Sequence, residues 1–248
     1  MSLQIFVDAQ SRVGEVYARC FPHNASLAVT EARTTKRKWL LWLAQAVNIA
    51  LVVVVGWLVF TREARLFPSL VLWFIFALYW GISAKNSAHT KSSESKGSAL
   101  FHQLVFNAAL ILLFLPVPGL KGWFLPPRLH FLVAAGAIIQ AAFILLAVWA
   151  RRHLGRNWSA AVRIAEGHEL VRSGPYRLLR HPIYTANLGM FVGTAIASSQ
   201  YHALLGVAIL VVAYLRKTRL EENILRQTFG AEWDAYRRKT WALVPLLF

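Results

Sequence analysis

Within HELVRSGPYRLLRHPIY, the stretch from His168 to Tyr184, a Gly-Pro turn is followed by Arg180, His181, Pro182 and Tyr184, and an acidic pair, Glu221 and Glu222, stands farther along. Pro182 suits the first position of a helix and forces His181 toward extended geometry. A helix starting there would offer amide donors to an anionic group, with Arg180, His181 and Tyr184 adding further donors and an aromatic face. Lys217 and Glu221 are four residues apart and so share a helix face. Lys before Glu is the weaker order for an intrahelical pair, so pair stability explains this spacing poorly. Glu222 and Arg219 make the cluster denser, and carboxylates at a membrane boundary are costly unless they hold something cationic.

The elements that must position these residues are membrane spans. Mean hydropathy is +0.46 and 57% of residues are apolar, with 10 Trp and 15 Phe, which excludes an ordinary soluble domain. Apolar runs of bilayer length fall at 39–60, 66–84, 99–118, 130–150, 182–199 and 201–215, and the last two read as one helical hairpin turning at Gln200. The expected fold is all-α: a polytopic membrane protein of about six transmembrane helices, with a C-terminal helical hairpin and a folded cytoplasmic cofactor-binding segment. Three regions follow, an interfacial N-terminal segment 1–38, four spans in 39–150, and a catalytic region 151–248.

Net charge is +16. With the N-terminus in the cytoplasm, the inner segments carry six, three, seven and seven Lys and Arg against two, two and none on the outer loops. The positive-inside rule then sets both termini in the cytoplasm and makes anionic lipid, not nucleic acid, the partner of the basic residues. A bacterial inner membrane is expected over endoplasmic reticulum.

Val13, Val16, Tyr17, Cys20 and Phe21 recur at helical spacing, the pattern of an interfacial helix. No signal peptide precedes the first span. Gln45, Asn48, Gln103 and Asn107 lie at membrane depth and are expected to hydrogen-bond between helices. Residues 85–98 read as a flexible loop, and 116–127, with Trp123 and Phe124, as an interfacial turn. The segment 151–181 exceeds the roughly 12–15 residues beyond which structureless loops are uncommon, so it should be folded. Gly189 and Gly193 predict close helix packing. The lone Cys20 excludes an internal disulfide, no His spacing suggests a metal, and the absence of any GxG removes the soluble dinucleotide fingerprint.

These residues resemble the isoprenylcysteine carboxyl methyltransferase family, whose pattern is similar to HxLVxxGPYxxxRHPxYxG, an apolar hairpin, EE, FGxEYxxY and a terminal Pro. The matches are His168, Leu170, Val171, Gly174, Pro175, Tyr176, Arg180, His181, Pro182, Tyr184, Glu221, Glu222, Phe229, Gly230, Glu232, Tyr236 and Pro245, and Leu154 to Trp158 also looks like the family. The resemblance covers about the last hundred residues. It implies S-adenosylmethionine as cofactor, held by His168, Leu170, Val171, Gly174, Tyr176, His181, Pro182, Tyr184, Glu221 and Glu222. It also implies a prenylated or lipid-like acceptor entering from the membrane, with Lys217, Arg180 and Glu221 as catalytic candidates. Lys217 stands where the family has Arg, a point charge in place of a bidentate fork. Ala186 replaces a Gly, and Trp233 a Tyr. A phospholipid amine or small thiol as acceptor, and an NADPH-dependent reductase of the sterol type, are the alternative readings.

Overall fold

The computed structural model describes residues 64–84, 91–92, 96–115, 117–120, 122–126, 129–155, 163–164 and 170–245, with isolated positions 46, 50 and 53. The chain divides into Met1–Asn48 and Ile49–Phe248, and everything below concerns the second unit. The expected interfacial helix, most of the first span and its Gln45 and Asn48 lie outside the described residues.

Among the described residues the elements are α1 (Phe67–Ala84), β1 (Lys91–Ser92), α2 (Lys96–Phe114), α3 (Phe131–Leu154), β2 (Arg163–Ile164), α4 (Pro182–Ser198), α5 (Tyr201–Phe229) and α6 (Ala231–Arg237), with a 3-10 turn at Gly174–Arg177. Among the described residues the fold is helical apart from a two-residue antiparallel ladder, Lys91 opposite Ile164 and Ser92 opposite Arg163, and two isolated bridges, Trp123 with Gln200 and Leu179 with Trp241. That ladder corrects the reading of 85–98 as flexible. Part of the segment satisfies its backbone groups by pairing, and α2 begins at Lys96 rather than at the apolar run from 99.

Gly97–Phe114 and Phe131–Leu154 have the length and hydropathy of membrane-crossing helices, and Phe67–Ser83 is a shorter apolar helix. Their outward faces carry large apolar side chains, such as Ile82, Ile138 and Leu145, as does α5 with Val212, each about two-thirds exposed. Lipid is the medium that tolerates such faces, while the backbone polar groups are closed inside the helices. At 29 residues, α5 is about 43 Å long at 1.5 Å per residue and outruns the hydrocarbon core.

The hairpin α4–α5 is held by α2 and α3 through small residues. A Cβ on Gly136 would lie 2.4 Å from the Gly193 carbonyl oxygen, and one on Gly193 would lie 2.6 Å from that of Gly136. The α3 and α4 backbones therefore touch, as the Gly189/Gly193 spacing predicts, with Gly136 as the partner. Gly206 does the same for α5 against α2, where a Cβ would stand 2.7 Å from the Ala109 oxygen. Trp73, Phe76, Leu113, Met190, Phe191 and Leu210 fill the core between them. Inside it, Trp73 Nε1 donates to Thr194 Oγ1 at 3.0 Å and Gln140 Nε2 to the Ser69 carbonyl at 3.1 Å, tying α1 to α4 and α3. Gln103 instead donates to Asn107 within α2 at 3.1 Å. This pair forms an i to i+4 bond that one helix supplies by itself.

Candidate active site

The site is built where the start of α4 meets the end of α5. Gly174 turns the chain at φ +58°, and a Cβ there would lie 2.7 Å from the His153 ring, so this turn needs glycine for space as well as conformation. The 3-10 turn buries Tyr176, which packs with Ala150, Ile183, Val171 and Tyr184. Burial, and then the nearby charge of Glu221, pushes the Tyr176 phenol well above its ordinary pKa. It is a neutral wall.

A C-terminal segment that sequence reasoning left without a role fixes the next residues. The amide of Arg180 donates to the Trp241 carbonyl at 2.8 Å, that of His181 to Ala242 at 3.1 Å, and Trp241 returns a bond to Leu178 at 3.0 Å. Tyr236 Oη donates to the Tyr176 carbonyl at 2.6 Å and Thr185 Oγ1 to that of Leu243 at 2.5 Å. Burial raises the Tyr236 phenol to about 12, so it serves as a donor. The amides of Tyr184 and Thr185 donate to the His181 carbonyl. Pro182 has no amide hydrogen, so little donor capacity at the start of α4 is left for an anion. The expectation of an anion grip at that terminus is corrected on this count.

His181 lies between the two acids, with Nδ1 3.4 Å from Glu221 Oε2 and Nε2 3.4 Å from Glu222 Oε1. Burial alone would depress its pKa, but hydrogen bonds and charge from both acids outweigh that and hold it above the usual value. The same balance keeps both carboxyls below theirs: burial raises them, while His181 lowers both, assisted by Tyr184 and Lys217 at Glu221 and by Arg180 at Glu222. Charge on the imidazole and charge on the two carboxyls thus favour one another.

The two acids then diverge. Glu222 is 13% exposed and also meets Arg180 Nε at 2.7 Å and Arg237 Nε at 3.5 Å. Glu221 is 27% exposed and accepts from Tyr184 Oη at 2.8 Å. Glu221 thus has the larger exposed surface of the two, whereas Glu222 has the larger set of cationic partners. Arg180, with an 8% exposed side chain, is spent on Glu222 and on the Arg237 and Thr240 carbonyls.

Aromatic rings continue the site. His181 stacks on Tyr184 at 5.3 Å and 4°, Tyr184 on Tyr214 at 4.6 Å and 15°, and His102 of α2 tilts against Tyr214 at 5.3 Å. Tyr214 accepts from Asn187 Nδ2 at 2.6 Å. Lys217, 7% exposed, lies three residues beyond Tyr214 on the buried face of α5.

The structure thus brings Val171, Gly174, Tyr176, Arg180, His181, Pro182, Tyr184, Lys217, Glu221 and Glu222 to one end of the hairpin, with Leu170 leading into the turn. His168 lies outside the described residues. Tyr214, His102 and Arg237 were missed. Tyr214 could have been found from its place one turn before Lys217, but His102 had no local signal.

Residues 131–232 match the family model described as phospholipid methyltransferase. The probable protein-S-isoprenylcysteine O-methyltransferase of Oryza sativa subsp. indica is 29% identical over 134 residues, 52% of this chain and 66% of that one. Protein-S-isoprenylcysteine O-methyltransferase A of Arabidopsis thaliana is 31% identical over 134 residues, 52% of this chain and 64% of the relative. The nickel-cobalt-cadmium resistance protein NccN of Alcaligenes xylosoxydans xylosoxydans is 35% identical over 99 residues, covering 38% and 45%. The chain spans just under two thirds of the length of the first two relatives. Among solved structures, the eukaryotic intramembrane Ras methyltransferase ICMT (isoprenylcysteine carboxyl methyltransferase) shares the fold, with a TM-score of 0.50 and 18% identity over 99% of this chain and 96% of that one. Hydropathy and fold together mark an integral membrane protein whose fold is similar to that of the intramembrane methyltransferase. The resemblance to the isoprenylcysteine carboxyl methyltransferase family carried by the motif is borne out by family model, relatives and fold alike.

Proposed function

We propose that this protein transfers the methyl group of S-adenosylmethionine to an acceptor that partitions into the membrane, the C-terminal carboxylate of a prenylated cysteine. The observation that carries the reading is the His181 imidazole clamped between Glu221 and Glu222 while Glu221 keeps an exposed edge, within the region similar to methyltransferases. The cofactor residues are His168, Leu170, Val171, Gly174, Tyr176, His181, Pro182, Tyr184 and Glu221. Glu222 acts through His181.

The residues present fit such a group. Glu221 offers carboxylate oxygens to hydroxyl or ammonium donors, Val171 and Tyr176 give an apolar wall, and the stack of Tyr184 on Tyr214 extends it with aromatic edges. The bound cofactor supplies an activated methyl group on a sulfonium. A carboxylate acceptor is already ionised near neutral pH, since free carboxyl groups titrate at about pH 4, so no protein base is required. The protein's task is to hold the acceptor oxygen in line, through Lys217, and to exclude water.

Two further features belong to this reading: about six spans with both termini on the cytoplasmic side facing anionic lipid, and a bacterial inner membrane as host. Phospholipid amine methylation is the second reading, favoured by the description of the matching family model. The test is thermal stabilisation of the detergent-purified protein by S-adenosylhomocysteine against NADPH, then labelled methyl transfer to a farnesylated cysteine analogue, a phosphatidylethanolamine and a small thiol. Stabilisation by the first ligand alone, with base-labile methyl incorporation into the farnesylated acid, is expected. Stabilisation by NADPH alone would overturn the reading.

A further inference from the structure

Lys217 stands where the resembling family has Arg, and a single ammonium is a poor substitute for a guanidinium that grips a carboxylate with two parallel donors. The second donor need not come from the same side chain. Helices α2 and α5 are antiparallel neighbours whose backbones meet at Ala109 and Gly206. About two turns from that contact toward the motif end, α2 presents His102 and α5 presents Tyr214, whose rings are 5.3 Å apart. Lys217 follows Tyr214 by three residues and shares its face.

The surroundings of His102 are those of a ligand-facing group. Its ring is half-buried, and Lys217, Arg216 and Glu221 all act on it electrostatically. The neighbouring cation Arg216 is turned away, lying over the Phe101 ring at 5.3 Å and donating to Ser98 Oγ at 3.2 Å. The ring nitrogens of His102 make no hydrogen bond among the described residues, in contrast to His153, His181 and His202, which all do. An imidazole N–H beside an ammonium, with an aromatic floor beneath, can bind an anion with two oxygens.

We propose that His102 and Lys217 together form a split fork for the methyl acceptor's carboxylate, Lys217 supplying the charge and His102 the second directional donor. His102 lies outside the region of the family match, residues 131–232, so α2 would complete a binding site that α5 begins. The inference rests on the proposed methyltransferase reading and narrows its acceptor to a carboxylate.

The experiment uses the full chain in detergent with N-acetyl-S-farnesylcysteine as acceptor and S-adenosylhomocysteine as the probe of cofactor binding. His102→Ala is expected to raise the acceptor KM about tenfold, the scale of a lost hydrogen bond to a charged group, with S-adenosylhomocysteine stabilisation unchanged. His102→Asn keeps a donor and should stay within about threefold of wild type. Placed beside Lys217→Arg, the same His102→Ala change should shift KM by less than about twofold, because the guanidinium then supplies both donors. An unchanged KM in His102→Ala, an equal effect in the Lys217 and Lys217→Arg backgrounds, or loss of S-adenosylhomocysteine binding in both His102 variants would each overturn the split fork. A wild-type protein that binds S-adenosylhomocysteine but forms no methyl ester would overturn it too, leaving the cofactor reading intact. No S-adenosylhomocysteine binding at all would sink the methyltransferase reading itself.

Discussion

The two ends of the α4–α5 hairpin are both tied down, but by different chemistry. At the turn end, Ser199 adopts a left-handed φ of 59°, its carbonyl accepts from the Phe124 amide at 2.9 Å and the Tyr201 amide donates to Gly122 at 3.3 Å. Arg65 donates to the Ser198 carbonyl at 3.1 Å and lies 4.1 Å over the Trp123 ring, while His202 Nδ1 meets the Leu112 carbonyl at 2.7 Å. Side chains there serve backbone. At the motif end, two carboxylates are surrounded by Arg180, His181 and Arg237, and one of the two stays partly open. An end built for stability satisfies its backbone and stops, whereas an end built for chemistry concentrates charge and leaves one group available.

The sharpest break of this comparison is at the acids themselves. Glu221→Ala should abolish stabilisation by S-adenosylhomocysteine and lower methyl transfer at least about a hundredfold, two steps of about 1.4 kcal/mol, with a smaller loss of thermal stability in the ligand-free protein than Glu222→Ala. A variant that still binds S-adenosylhomocysteine normally would remove Glu221 from the site. Glu222→Ala should behave the other way, costing about 3 kcal/mol of stability because Arg180 is left buried without its counter-ion. Urea or thermal unfolding of the two variants side by side reads the contrast, and equal destabilisation would show that the pair is not divided as described.

Packing comes next. Gly193→Ala should cost about 2 kcal/mol by forcing α3 and α4 apart, since its Cβ would meet the Gly136 backbone. Preserved melting temperature would contradict the crossing. A smaller effect concerns pH. His181 has a raised pKa, so its contribution is fully present below the ordinary value of 6.5 and is lost as pH rises through the raised one. Glu221 and Glu222 have lowered pKa values, so theirs is present above the ordinary 4.5 and is lost as pH falls below it. Thermal stability should therefore fall on both the acid and alkaline sides, and His181→Gln should remove the alkaline limb and shrink the acid one, since His181 lowers both carboxyls. An alkaline limb of unchanged size in that variant would rule out His181 as its source. The smallest change is expected at the turn end, where Arg65→Ala should cost under about 1 kcal/mol and leave S-adenosylhomocysteine affinity as it was.

Much of this was legible along the chain. The hairpin, its Gly189/Gly193 contact, the turn at Gly174-Pro175 and the helix start at Pro182 are local properties of residue type and spacing, and the helix boundaries follow them. The six-span count reaches beyond the described residues. The contact of Arg180 with Glu222 was not legible, because a basic residue beside a membrane looks the same whether it meets a ligand or a carboxylate of its own chain. The amides of Arg180 and His181, just before α4, are occupied because Trp241 and Ala242 fold back on them, a pairing that no local pattern encodes.

Residue identity alone determined that this is a helical membrane chain with a motif of methyltransferase type, because hydropathy, charge asymmetry and motif order are written in one dimension. Only the packed structure decided that the acids have separate partners, that the C-terminal segment braces His181, and that His102 meets Tyr214 from α2. Those facts depend on side chains far apart in sequence meeting at short range, and distance in space is what hydrogen bonds and charges respond to.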